Sequence, residues 1–124
     1  MKRYLIDTHI LLWWLSNDKK LPKKIDDLIA NPSNSIIVSA VTAWEIAIKK
    51  SLNKLQAPDN LEEILEENNI TVLSMSIEHA LYVEHLPSIH QDPFDRLLIA
   101  QCIIEELIFV TADTIIPKYD IECF

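Results

Sequence analysis

The chain predicts a three-layer α/β/α fold around a central, mainly parallel sheet, and three observations carry that expectation. Short apolar or β-branched runs, "RYLID" (3–7), "SIIVS" (35–39), "ITVLSM" (70–75) and "LIFVT" (107–111), alternate with helical patterns along the 124 residues. Alternation of this kind builds βαβ units, and hence a parallel sheet with helices on its faces. Apolar residues make up 49% and charged residues 24%, the profile of a globular chain with enough core to fold. No internal repeat, low-complexity segment or linker divides it, so one domain over 1–124 is expected.

The elements follow in order. "THILLWWLS" (8–16) is apolar all round and reads as a buried helix. Pro22 opens a second helix with Ile25, Leu28 and Ile29 on its inner face. "AVTAWEIAIKKSLNKL" (40–55) is a third, with Asn53 as a left-handed cap near its end. In "NLEEILEENN" (60–69), Leu61, Ile64 and Leu65 turn inward and the glutamates face water. "SIEHALYVEHL" (76–86) is a further helix. Asp92-Pro93, an N-cap aspartate with proline at the first helical position, starts the long apolar helix "PFDRLLIAQCII". After Asp113 a short helix and a last edge strand are expected.

Composition narrows the function. Glycine is absent, which excludes a glycine-rich phosphate loop or dinucleotide fingerprint. Turns that need positive φ must then use Asn or Asp, with "NPSN" (31–34) and Asn53 as candidates. A net charge of −8 argues against a broad basic surface for nucleic acid, yet allows a nuclease whose acidic cluster supplies part of that charge. Cys102 and Cys123 offer neither zinc spacing nor a disulfide framework, so a reducing compartment is the default. No apolar run approaches the roughly 18 residues of a membrane span. "MKRYLIDTH" starts like a signal peptide, but Asp7 and His9 interrupt its apolar region, and a cytoplasmic protein is expected.

Four acidic residues are predicted to meet at one rim. Strand C-termini of a parallel sheet lie on one edge, together with the N-termini of the connecting helices. Asp7 ends the first strand and Asp113 follows the fourth; Glu45 is one turn into the third helix, and Asp95 is in the first turn of the apolar helix. With Val41, Trp44 and Ile48 read as an inward stripe, Glu45 shares the buried edge, where a lone charge needs a partner. Taken singly, Asp7, Asp95 and Asp113 each read more readily as a helix cap than as a ligand. Together, with no lysine or arginine pattern neutralising them, they would raise one another's pKa unless a cation compensates. An all-carboxylate set suits a hard cation such as Mg²⁺, with two or three carboxylates ligating and the rest acting through water. Such an ion lowers the pKa of a bound water and offsets charge on a phosphate, which makes phosphodiester hydrolysis the natural chemistry.

The stretches "YLIDTHILLWWL", "SAVTAWEIAIKKSLNKL", "DPFDRLLIAQC" and "LIFVTADTIIPKYDI" resemble, in order and spacing, the PIN-domain ribonucleases of the VapC type, toxins of prokaryotic toxin–antitoxin pairs. The resemblance covers nearly the whole chain. It implies a Mg²⁺- or Mn²⁺-dependent endoribonuclease, RNA as substrate, homodimerisation and inhibition by a cognate antitoxin protein. Carried over motif by motif, the family's acidic residues fall on Asp7, Glu45, Asp95 and Asp113, with Thr8, Thr111 and, more weakly, Ser39 as supporting hydroxyls. Two positions depart from the family: Asn53 stands where relatives often have glycine, and "ECF" where many end in tryptophan.

Several residues have two readings. Arg96 contacts either RNA phosphate or a nearby carboxylate. Lys49 and Lys50, with Lys54, either guide RNA toward the rim or form a solvated helix face. His9, His79, His85 and His90 share no ligand spacing, and none is assigned to catalysis. Trp13 and Trp14 cannot both point into one core, so one is a candidate for a dimer or antitoxin surface. Two other functions compete. An inactive binding module would keep the fold and the partner, but all four carboxylates are present. A phospho-acceptor receiver domain needs an acidic pair after the first strand, an acceptor aspartate after the third and a late lysine, none of which stands here.

Overall fold

The computed structural model describes residues 1–124. Its elements run β1 (Arg3–Ile6), α1 (Thr8–Leu15), α2 (Lys23–Ala30), β2 (Ser35–Ser39), α3 (Ala40–Ser51), α4 (Leu61–Glu67), β3 (Thr71–Leu73), α5 (Ile77–Tyr82), α6 (Pro93–Glu105) and β4 (Ile108–Val110). Short 3-10 turns cover Val83–His85 and Ile116–Lys118. The four strands form one sheet in the order β3-β2-β1-β4, every pair parallel. The expected final strand is reduced to a single parallel bridge between Cys123 and Phe109. Phe124 packs its ring edge-on against Tyr4 at 6.1 Å, in the part of the chain that departs from the family.

Side-chain alternation divides the core between two helical layers. Tyr4 and Ile6 of β1, Ile36 and Val38 of β2, and Val110 of β4 pack with Ile10, Leu11, Ile25, Leu28 and Leu65, the inner residues of α1, α2 and α4. Leu5, Ile37 and Phe109 point to the opposite face, against Leu97, Leu98 and Ile99 of α6. Successive strand residues face opposite ways, so a sheet covered on both sides buries each of them. That accounts for the apolarity of α6, whose residues Leu97–Cys102 are all buried. The three-layer α/β/α architecture is as the alternation predicts.

Two local readings change. Trp44 is not in the core: 52% of it is exposed, and its ring stands edge-on to Phe94 of α6 at 5.0 Å. The residues of α3 that face inward are Val41, Thr42, Glu45 and Ile46, a stripe rotated from the expected one that still contains the glutamate. Left-handed backbone occurs at Asn17, Asn53, Asn69 and Glu106. Asn53 caps α3 as its side chain allows, whereas Asn31, in "NPSN", is extended with φ −76°. Its turn is held instead by Ser33 N–H donating to the Asn31 side chain and by Asn34 N–H donating to Asn31 O.

Glu106 ends α6 at φ 56°, where the Cβ that any residue but glycine carries crowds the following carbonyl oxygen. Replacing it with asparagine, which tolerates this conformation, is expected to stabilise the chain by about 1 kcal/mol. The gain is read as a higher urea midpoint at unchanged slope; an unchanged midpoint would show that Glu106 carries no such strain.

Candidate active site

The end of β1 sets the site. Asp7 follows the central strand and is 4% exposed. One carboxylate oxygen accepts the Ile10 N–H at 2.9 Å and so caps α1, while the other accepts the Thr111 hydroxyl from the end of β4. This aspartate is therefore a helix cap and a rim carboxylate at once. Burial pushes its carboxyl up from the ordinary range, against the hydrogen bonds from Thr111 and Ile10. Next to it, Thr8 donates to Glu45 Oε1 at 2.7 Å and lies 3.1 Å from the Thr42 hydroxyl. Thr8 thereby ties α1 to α3 through the glutamate, which is 2% exposed.

Glu45 is not left without a cation. Lys49, one helical turn on, pairs with its second oxygen, and that pairing holds the lysine's pKa above its usual value. The i,i+4 spacing of Glu45 and Lys49 is the sequence signal for this pair, and it corrects the expectation that no lysine neutralises the glutamate and that Lys49 faces water. Its ammonium group lies instead over the Phe94 ring, 5.8 Å from the centroid, and in the field of Asp92 and Asp95. Lys50 turns away and pairs with the fully exposed Asp59.

Asp92 caps α6 through the Phe94 and Asp95 N–H groups, which leaves the Asp95 carboxylate free of capping. Burial, then the charge of Asp92, and the more distant charges of Asp7 and Glu45 raise its pKa to about 7, with only His90 opposing. No backbone or hydroxyl donor compensates, and its Oδ2 lies 3.2 Å from His90 Nε2. Asp113, two residues beyond Thr111, has Oδ1 on the Ile115 N–H at 2.7 Å and Oδ2 on His90 Nε2 at 3.1 Å. Burial raises its carboxyl, but the hydrogen bonds from Ile115 and His90 outweigh that and leave it below the ordinary value.

The chain thus brings Asp7, Asp95 and Asp113 to one cleft of about 240 Å³, also lined by His9, Trp13 and Ala112. Glu45 stands behind it, linked through Thr8 and felt electrostatically by Asp95. Thr8 and Thr111 touch the carboxylates directly. Ser39 does not: it caps α3 through the Val41 N–H and donates to Gln101, inside a buried chain of polar groups that continues to His79 and Glu105. Arg96 pairs with no carboxylate. Its guanidinium donates to the carbonyls of Val83, Leu86, Pro87 and His90 and to the Tyr119 hydroxyl, and so pins the loop ahead of α6.

His90 is the site residue that the sequence reading missed. It lies with Asp95 and Asp113 so that one ligand-type atom from each falls within 4.8 Å of the others. Ligand spacing gave no hint of it, because its partners come from the following helix and from beyond β4. Its place two residues before the cap of the helix carrying Asp95 was the only available signal.

The donor set suits a hard divalent cation. It is carboxylate oxygen, crowded, and one member is mostly buried with a pKa raised to about 7. Without a cation, Asp95 holds its proton more tightly when folded than unfolded. Its contribution to stability is therefore complete below about pH 4 and is lost as pH rises toward about 7. In a melting series in EDTA across that window, Asp95→Asn is expected to flatten the fall in Tm. An equal slope in the variant would refute the raised value.

Comparisons with known proteins agree with this architecture. The model of the PIN domain family matches residues 4–122. Among solved structures, VapBC2 of Rickettsia felis bound to a promoter DNA fragment superposes with TM-score 0.73 at 18% identity, over 98% of this chain and 97% of that one. DNA-bound VapBC of Salmonella typhimurium gives TM-score 0.70 at 18% identity, over 100% and 98%. FitAcB of Neisseria gonorrhoeae gives 0.68 at 20%, over 98% and 96%. At such identities the likeness is one of fold. No curated protein sequence matches the chain. The family model spans nearly every residue, including the receiver-incompatible strand ends and all four rim carboxylates: the chain belongs to the PIN-domain family.

Proposed function

We propose that residues 1–124 act as one nuclease domain, a Mg²⁺- or Mn²⁺-dependent endoribonuclease that serves as the toxin of a toxin–antitoxin pair. The observation that carries this reading is the meeting of Asp7, Asp95 and Asp113 in one cleft, with Glu45 behind them and Asp95 largely buried without a backbone or hydroxyl donor. Carboxylates are gathered this way at a cost that a divalent cation offsets.

In this reading Asp7, Asp95 and Asp113 would hold the cation, and Glu45 would act through water. The cation would supply a water of lowered pKa and neutralise charge developing on the phosphate. The chain's own contribution is alignment. Thr111 fixes Asp7, Thr8 fixes Glu45, and Ile115 N–H fixes Asp113, so that little reorganisation remains when the RNA phosphate arrives. A carboxylate at the rim would orient the water that attacks phosphorus on the side opposite the leaving oxygen.

The partners follow from likeness. The similar structures from Rickettsia felis and Salmonella typhimurium are VapBC complexes, that from Neisseria gonorrhoeae is FitAcB, and one from Klebsiella pneumoniae is a toxin–antitoxin complex; an antitoxin protein is proposed as partner on that likeness, and a second copy of this chain on the family resemblance alone. No helix is long and apolar enough to cross a membrane, in keeping with a proposed site of action among cytoplasmic RNAs.

Incubation of total RNA with the purified chain tests the activity. Discrete fragments are expected with Mg²⁺ or Mn²⁺ and none in EDTA. Asp7→Asn and Asp95→Asn are each expected to lower the rate by more than about 100-fold, beyond the loss typical of an outer partner. Retained cleavage by folded Asp95→Asn would sink the proposal. Absence of cleavage by the unmodified chain, alongside tight antitoxin binding, would favour an inactive binding module.

A further inference from the structure

His90 sits where a metal ligand would be sought, between Asp95 and Asp113. Its hydrogen bonds assign it another task. The ring Nδ1 accepts the Asp92 N–H at 3.1 Å, so Nδ1 carries a lone pair and no proton. The ring proton must then be on Nε2. That N–H donates to Asp113 Oδ2 at 3.1 Å and lies 3.2 Å from Asp95 Oδ2. To bind a cation through Nε2, the proton would have to move to Nδ1, against the Asp92 N–H that now points there.

The ring is held in this pose from three sides. Its backbone N–H donates to the Tyr119 hydroxyl at 2.7 Å. Its carbonyl accepts from Arg96 Nη1 at 3.2 Å. The Tyr119 hydroxyl in turn donates to Pro87 O and receives Arg96, which closes the frame. A loop residue fastened by its own peptide, its own ring and two outside side chains is built for one orientation.

We propose that His90 is a positioning residue, a neutral Nε2–H donor that draws the Asp95 and Asp113 carboxylates together for the cation and does not itself ligate it. This rests on the metal-dependent reading above. Two carboxylates from separate elements repel each other, and neither α6 nor the segment after β4 brings them together. A single N–H placed between their Oδ2 atoms does. It leaves Asp95 Oδ1 without a protein donor among these contacts and available to a cation. Arg96 enters the site in the same way, through the His90 carbonyl.

Two measurements on the full chain decide it. In histidine-selective NMR of the ring nitrogens, the His90 signal is assigned by its loss in His90→Gln. The Nε2–H tautomer is expected both without metal and after saturation with Mg²⁺. Transfer of the proton to Nδ1 on adding Mg²⁺ would make His90 a ligand and overturn the inference. Mn²⁺ affinity is then titrated by the electron-spin signal of the free ion. His90→Ala is expected to weaken binding about 10- to 100-fold, as loss of an outer partner does. His90→Gln, whose amide can present an N–H in the same place, is expected to recover most of it. Unchanged affinity in His90→Ala, or no recovery in His90→Gln, would refute the positioning role. Should His90→Ala fail to fold, the tautomer of the unmodified chain and the affinity of His90→Gln still decide. No Mn²⁺ uptake by the unmodified chain would overturn the metal reading and this inference with it, whereas uptake with a changed tautomer overturns this inference alone.

Discussion

Mutual repulsion of carboxylates is the force against which the rim of this protein is built. Four acidic side chains from four parts of the chain are held within reach of one another, and nothing in their own chemistry favours that. The scaffold does so by giving three of the four a fixed donor or cation. Asp7 is gripped by a helix N-terminus and a threonine from the neighbouring strand. Glu45 is gripped by Thr8 and Lys49. Asp113 is gripped by a backbone N–H and His90. Asp95 has no backbone or hydroxyl donor, only the His90 ring nitrogen 3.2 Å from its Oδ2, and it is the one whose pKa burial drives to about 7.

The grips double as joints of the fold. Thr111–Asp7 ties the end of β4 to the end of β1, and Thr8–Glu45 ties α1 to α3. Arg96 and Tyr119 tie α6 and the C-terminal segment to the loop over Val83–His90. Loss of a side chain here removes a structural fastening together with a chemical group. Variants at Thr8, Thr111 or Arg96 therefore need a stability measurement beside any activity measurement.

Much of this was legible in the sequence because it follows from periodicity and chain direction. Strands that alternate with helices fix a parallel sheet, and a parallel sheet fixes which ends share an edge. Hence the sequence alone predicts Asp7, Asp95 and Asp113 at one edge, and they line one cleft. Glu45 was placed correctly from a stripe that was partly wrong: Trp44 lies half-exposed on Phe94, since aromatic bulk alone does not say which side of a helix is covered. What stayed hidden depends on side-chain reach. Lys49 bends back to Glu45, Ser39 turns to Gln101, Arg96 spends its donors on carbonyls, and His90 finds partners remote in sequence. Only the first follows a spacing rule, since Glu45 and Lys49 stand four apart on one helix, where opposite charges pair; the other three have none. The left-handed Glu106 is of the same kind, imposed by the need to turn from α6 into β4 where no glycine is present.

The strand order β3-β2-β1-β4 also sets when the site can exist. The central strand β1 is made first, but one of its two neighbours pairs through Tyr4 with Ile108 and Ile6 with Val110, near the other end of the chain. Asp113, Thr111 and the Tyr119 that frames His90 all lie at or beyond that strand. A chain still being synthesised can fold its N-terminal layer, yet it has no partner for the open edge of β1 and no complete rim until those residues emerge. Pairing of the second edge of β1 and completion of the cleft thus depend on the same late-made residues.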